Sequence, residues 1–323
     1  MNIIKMPGKE NHVEEMVVGL PRAFLYYRYK VLWETFFKEL GIRTVVSPDT
    51  NLEIMKNGAG RAASEMCMAM KIYMGHVEAL EGKCTHVLVP RILDFGIRRV
   101  MCTNFEALPD LVSNVFRDCS FQVLSYDVDS GKRKDHRKAM MEMAVENGFS
   151  LKAASKAWKT ASKAQDEAWA AAARKTEALY HKEGLKLILA GHSYIIEDEY
   201  IGKPVLQKLE KMGVTVIRAD QVDKKKALRE SEKASPTLKW ELSREIVGSL
   251  AMHYAQADGI ILLAVYPCAL DSMVNDMLIH KNKITKVPVL QMTLDDQTGS
   301  AGLDTRLESF VDILEMRRGE QNE

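Results

Sequence analysis

Short runs of β-branched and apolar residues, each followed by a stretch of helical periodicity, recur along this chain. Residues 16–20 (MVVGL), 43–47 (RTVVS), 85–90 (THVLVP) and 121–126 (FQVLSY) form a first series of four, with a helical pattern from about 23 to 40 between the first two. Residues 185–191 (LKLILAG), 214–218 (VTVIR), 259–265 (GIILLAV) and 287–291 (VPVLQ) form a second series, with helical patterns at 203–212 and 239–255. Strands that alternate with helices read as βαβ units, because parallel neighbours need a long crossover. The expected fold is therefore α/β, with two parallel-sheet domains at residues 16–131 and 185–318 and a helical linker at 132–184. A chain of 323 residues is long enough for two cores.

The linker is rich in Ala, Lys and Glu and breaks at Asn147 and Gly148, after which Ser150 is placed to cap a helix. Ala154, Trp158, Ala161, Gln165, Ala168 and Ala172 recur at helical spacing, so this helix is expected to serve packing. Residues 223–235 (DKKKALRESEKAS) are so charged that they read as a solvated loop or a frayed helix.

Several functions are disfavoured. The net charge of +1 argues against a general nucleic-acid binder, while leaving room for a local basic pocket. The longest apolar run, Gly259–Val265, is far shorter than the ~20 residues of a membrane helix. The first 15 residues lack an apolar stretch with a small-residue cleavage site, so a cytoplasmic location is expected, where thiols stay reduced. Neither G-x-x-x-x-G-K-[ST] nor G-x-G-x-x-G occurs, so ATP and dinucleotides are not bound by the usual loops.

The five cysteines divide by position. Cys67 (SEMCMAMK), Cys102 (VMCTNF) and Cys268 (VYPCALDS) fall in strand-to-helix connections, which gather at the carboxyl edge of a parallel sheet, where such folds bind ligands. Cys84 and Cys119 immediately precede strands and belong to the opposite edge. Three thiols converging from separate loops suit a soft metal or an iron–sulfur cluster, or they are small core residues. No C-x-x-C pair of the structural-zinc kind occurs.

Other candidates share that edge. Arg22 and Arg91 follow the first and third strands and offer a fork for a carboxylate or phosphate, or a structural ion pair. His192 follows the fifth strand and is a candidate proton donor, and Glu65 beside Cys67 a candidate base or iron ligand. Residues 298–302 (TGSAG) form a weaker anion-binding turn, Arg306 and Glu308 a local pair, and Met66, Met68, Met70 and Met74 core packing.

The words around these positions resemble a known family. They are VGLPRAFLYY (18–27), WETFFKELGIRTVVSP (33–48), SEMCMAMKIYMGHVEAL (64–80), VPRI (89–92), CTNFEALPDLV (102–112), GHSYIIEDEY (191–200), YPCALDS (266–272) and DDQTGSAGLDTRLESFVDIL (295–314). They resemble the 2-hydroxyacyl-CoA dehydratase superfamily, in the branch of acyl-CoA dehydratase activase-related proteins, over almost the whole chain. The resemblance implies two Rossmann-like domains and one [4Fe-4S] cluster on Cys67, Cys102 and Cys268. It also implies an ATP-dependent activator protein as electron donor, and a second dehydratase-like subunit or a homodimer. The chain departs from the family wording just after each cysteine, at Met68–Ala69, Thr103 and Ala269–Leu270.

The expected function is that of an iron–sulfur protein with the cluster in the interdomain cleft. It would take low-potential electrons for reductive or dehydrating chemistry on a thioester or small molecule, as a lyase or reductase component. The alternatives are a non-catalytic cluster scaffold or partner subunit, and a metal-free small-molecule binding protein.

Overall fold

A computed structural model describes residues 16–280, 287–295 and 300–322. Both series of strands are present, each as a four-stranded parallel sheet. The first contains β1 (Val17–Leu20), β2 (Arg43–Val46), β3 (His86–Leu88) and β5 (Gln122–Leu124), in the order β2-β1-β3-β5. The second contains β7 (Lys186–Ala190), β8 (Thr215–Arg218), β9 (Gly259–Val265) and β10 (Val289–Leu294), in the order β8-β7-β9-β10. Each half thus runs second, first, third, fourth. The crossovers leave in opposite directions from the first strand, which opens a crevice between β1 and β3 and another between β7 and β9.

The central strands read as unbroken apolar runs because they are buried on both faces, as all four residues of β1 are. All seven residues of β9 are buried, as a central parallel strand requires. Burial of each such Ile, Leu or Val contributes ~1.5–3 kcal/mol.

A pair of two-residue strands, β4 (Arg91–Ile92) and β6 (Asp127–Val128), continues the β3–β5 ladder. Val89 N donates to Leu124 O, Arg91 N to Tyr126 O and Leu93 N to Val128 O. Only Pro90, which has no N–H, interrupts the run.

The helices of the first half are α1 (Tyr26–Glu39), α2 (Leu52–Arg61), α3 (Met68–Glu78) and α4 (Thr103–Val115). The linker forms α5 (His136–Glu146) and the long α6 (Leu151–Leu179), broken at Asn147 and Gly148. Ser150 Oγ accepts from Ala153 N as the N-cap of α6. Ala154, Ala157, Ala161 and Gln165 of α6 are buried, and Gln165 Oε1 accepts from Leu32 N of α1. The second half adds α7 (Ser193–Ile196), α8 (Lys203–Lys211), α9 (Lys224–Ala234), α10 (Glu241–His253), α11 (Ala269–His280) and α12 (Ser300–Asn322).

Residues 223–235 are a correction to the sequence reading. They form α9, capped by Asp223 on Lys226 N, and α9 packs on α10 so closely that a Cβ on Gly248 would meet Ala227 O at 1.8 Å. Ala227 and Ser231 face inward, so the run is amphipathic and its charges lie mostly on the other face.

Loop 93–101 ties the halves together. It doubles back on itself through Met101 N to Leu93 O, and Val100 then bonds across to the second half. Val100 N donates to Lys239 O and Glu241 N to Val100 O, while Arg99 forms a two-point ion pair with the buried Glu241.

Candidate functional site

Cys67, Cys102 and Cys268 line one cavity of about 40 Å³, with Phe24, Asn104, His192 and Tyr194 among its walls. All three are unpaired and partly buried. Cys67 is the N-cap of α3 and Cys102 the N-cap of α4, both with extended backbone (φ −63°, ψ 152° and φ −62°, ψ 144°). Cys268 immediately precedes α11. Three helix N-termini therefore meet at the thiols, and the positive ends of their dipoles favour negative charge. The loops are also joined directly, since Met68 N donates to Tyr266 O at 2.9 Å. Asp271 N points at Cys268 Sγ at 3.5 Å, and Asn104 Nδ2 at Cys67 Sγ at 3.8 Å.

Among the described residues, no Lys or Arg lines this cavity. Burial accordingly pushes all three thiols above the ordinary cysteine range, and the neighbouring thiols and Asp271 add to the rise. Cys84 and Cys119 lie elsewhere: Cys84 Sγ is buried against Leu80 O, and Cys119 sits near Glu81 and Arg61.

His192 is the N-cap of α7, at the carboxyl end of β7. Its Nε2 is 2.8 Å from Asp271 Oδ1, in the first turn of α11. Burial lowers the imidazole's affinity for a proton, but Asp271 outweighs it and the pKa is raised. Burial likewise resists the Asp271 charge, and His192 prevails to hold its pKa down. Tyr194 stacks on His192 at 5.1 Å and meets Phe24 edge-on at 5.4 Å. Phe24 has a left-handed backbone (φ 45°) and is pinned by Tyr73 and Phe105 as well.

The other expected site residues stand apart from the cavity wall. Arg22 pairs with Asp49, and its N–H donates to Ser47 Oγ. Arg91 holds Asp110 with two nitrogens at 2.8 and 2.7 Å and faces Asp127 at 3.5 Å, so its fork is occupied by a structural carboxylate. Glu65 is exposed in the turn before α3. Met68, Met70 and Met74 are core residues. Arg306 donates to Gln291 O and Glu308 pairs with Lys208, so these two do not form the local pair expected of them. The turn 298–302 lies partly outside the described residues.

Asp271 was not marked by its sequence context. The available signal was its place three residues after Cys268, in a first helical turn where a carboxylate is favoured. Phe24, Asn104 and Tyr194 were also missed, as ordinary residues whose role comes from tertiary contact.

The donor set fits a thiolate-bound cluster in its chemistry: three free thiols, facing helix N-termini, with aromatic walls against water. Among the described residues, no group of three or more His, Cys, Asp or Glu is set to hold a metal ion. A cubane spreads its thiolates around a whole Fe4S4 core, whereas a single ion gathers them at bonding distance.

The model of the CoA enzyme activase uncharacterised domain (DUF2229) matches residues 17–222. The match runs from β1 to the loop before α9 and includes Cys67, Cys102 and His192. No curated protein matches the chain. Two solved structures similar in outline are of the SBP FpvC from P. aeruginosa, one with Ni2+ and one with Mn2+. Each shares 10% identity and covers 94% of this chain and 98% of the other, with TM-scores of 0.29 and 0.28. Likenesses this distant carry no argument.

Proposed function

The chain belongs to the family of the CoA enzyme activase uncharacterised domain, and on that premise we propose that it is a redox component holding one [4Fe-4S] cluster through Cys67, Cys102 and Cys268. The observation that carries this reading is the meeting of three thiols, each at the start of a different helix, on one cavity. When bound, the cluster supplies low-potential electron transfer and one iron without a cysteine ligand.

The chain's own residues have distinct tasks. The three thiols bind, and the N-termini of α3, α4 and α11 offset the negative charge they gain. Asp271 holds the His192 ring in one orientation at the cavity wall, so that His192 can keep or release a proton there. Phe24, Phe105 and Tyr194 exclude water. Electrons come from a separate ATP-dependent activator, a reading supported by the absence of a phosphate-binding loop in this sequence. The reaction class is reductive or dehydrating, as in the 2-hydroxyacyl-CoA dehydratase superfamily that the sequence resembles.

Five single variants test the ligand set. After anaerobic reconstitution, Cys67→Ser, Cys102→Ser and Cys268→Ser should each lose most bound iron, while Cys84→Ser and Cys119→Ser keep it. Equal retention by all five would overturn the assignment.

A further inference from the structure

Beside the cysteine cavity lies a larger one, of about 220 Å³. The two share His192 and Leu242 in their walls. The larger cavity opens at the carboxyl ends of β7 and β8, where Ser193 and Asp220 leave the sheet. Open parallel sheets take their ligands at this edge. Helix α1 closes it from the first half and α6 from the linker.

Its wall carries three cations, Arg28, Lys30 and Lys224, and three carboxylates, Glu197, Asp220 and Glu245, but they are unevenly shared. Arg28 gives both terminal nitrogens to Glu245, at 2.7 and 2.6 Å, and Lys224 Nζ reaches the same carboxylate at 3.2 Å. The Arg28 side chain is 10% exposed, Glu245 4% and Lys224 18%. Two cations thus share one carboxylate away from water. Of the other wall charges, Glu197 and Asp220 both accept from Arg218, which lies behind the wall, and Lys30 faces Glu197.

Hydrogen-bonding capacity is also left over on the donor side. Arg28 Nε is buried and has no partner. Lys224 reaches Glu245 with one of its three N–H donors. Burial lowers the Lys224 pKa, against the pull of Glu245 and Asp220, and Arg28 lowers it further. Val31, Trp169, Val222 and Ile246 give the remaining wall an apolar patch.

A buried surplus of donors around two cations on one carboxylate is costly until something with acceptor oxygens and a negative charge meets it. The volume lies below the ~300 Å³ at which pockets for drug-sized ligands begin, so a whole coenzyme A does not fit. We propose that this cavity binds a small organic carboxylate, its head group received by Arg28 and Lys224 and its short apolar part lying against Trp169 and Ile246. This deepens the function proposed above by naming a free acid as the small molecule beside the cysteine cavity. It rests on that reading only for the ligand's role as substrate, because binding itself needs no iron.

Calorimetric titration of the full chain, iron-free and reconstituted, with butyrate, hexanoate and hexanamide tests it. Hexanoate should bind saturably to both forms, about tenfold or more tighter than hexanamide, as loss of a charge-assisted contact implies. Lys224→Met, which leaves the Arg28–Glu245 pair neutral, should weaken hexanoate about tenfold without lowering the melting temperature. Ala172→Leu, which fills the cavity from α6 with a good helix former, should block binding and decides the matter if Lys224→Met does not fold. Equal affinity for hexanoate and hexanamide, no saturation by either acid, or wild-type binding by a folded Lys224→Met or Ala172→Leu would overturn the proposal. Hexanoate binding by a chain that takes up no iron would sink the cluster reading and leave this one standing.

Discussion

His192 Nε2 lies 2.8 Å from Asp271 Oδ1, and the two side chains are only 8% and 11% exposed. They join the loops that leave β7 and β9, on either side of the crevice in the second sheet. Asp271→Ala removes one partner and leaves an imidazole buried beside three thiols. The imidazole then gives up its proton and is left without its partner, so the expected cost is ~1–3 kcal/mol, measured by urea unfolding. Asp271→Asn keeps a hydrogen-bonding group in place and should cost clearly less.

Glu245 carries the second prediction. Burial works against its charge, but Arg28 and Lys224 hold its pKa down at about 2. A carboxylate with a depressed pKa contributes its stability in full above the ordinary value of ~4.3, and loses it as pH falls toward the folded value. Glu245→Gln should therefore destabilise the fold by ~3–5 kcal/mol at neutral pH, because two buried cations lose their carboxylate. The gap between the two proteins should narrow as pH falls from ~5 toward 2, measured by denaturant titration at each pH.

Two buried histidines predict how the whole protein responds to acid. His76 bridges Ser47 and Thr50, and His136 donates to or accepts from Tyr126 while lying edge-on to Tyr29. Burial, helped by a nearby arginine, lowers each to about 3. In the unfolded chain each takes up a proton near pH ~6.5, so stability present above that value is lost as pH falls below it. Each histidine adds ~1.4 kcal/mol per pH unit to that loss. His136→Phe should remove its share of the slope between pH ~6 and ~4, and an unchanged slope would contradict the assignment.

The crossing of α2 and α3, which sets the start of the Cys67 helix, depends on glycine. A Cβ on Gly58 would stand 1.8 Å from Lys71 O, and one on Gly75 2.0 Å from Ile54 O. Gly60, also in α2, would meet nothing within 4 Å. Gly58→Ala should cost ~1–3 kcal/mol or more by overpacking. Gly60→Ala should be neutral or gain up to ~1 kcal/mol of helix propensity. Thermal unfolding of the two variants separates close approach from helix propensity.

The strands and the convergence of three cysteines were legible because both follow from local pattern. A buried parallel strand is a run of β-branched residues, and Cys102 and Cys268 lie between strand and helix, at the carboxyl edge. Cys67 corrects that reading, because α2 intervenes after β2 and Cys67 reaches the cavity from a helix-to-helix connection, as the N-cap of α3. The partners of charged side chains were not legible. For Arg91 the sequence offers either a ligand fork or a structural pair without naming the partner, and Asp110 on the following helix takes the fork. Lys224 begins a run that reads as solvated, yet α9 turns it inward to Glu245 and Trp169. The linker helix reads as packing, yet Trp169 and Ala172 give it a cavity wall. Asp271 and His192 meet across 79 positions, a pairing that no periodicity encodes.

The count of iron and acid-labile sulfide on anaerobically prepared wild-type protein tests the central claim most directly. About four of each per chain, in a brown protein with a cluster signal in electron paramagnetic resonance after reduction, is the result expected of one cubane on Cys67, Cys102 and Cys268. A colourless protein that takes up neither iron nor sulfide on reconstitution, while its fold is intact, would contradict it.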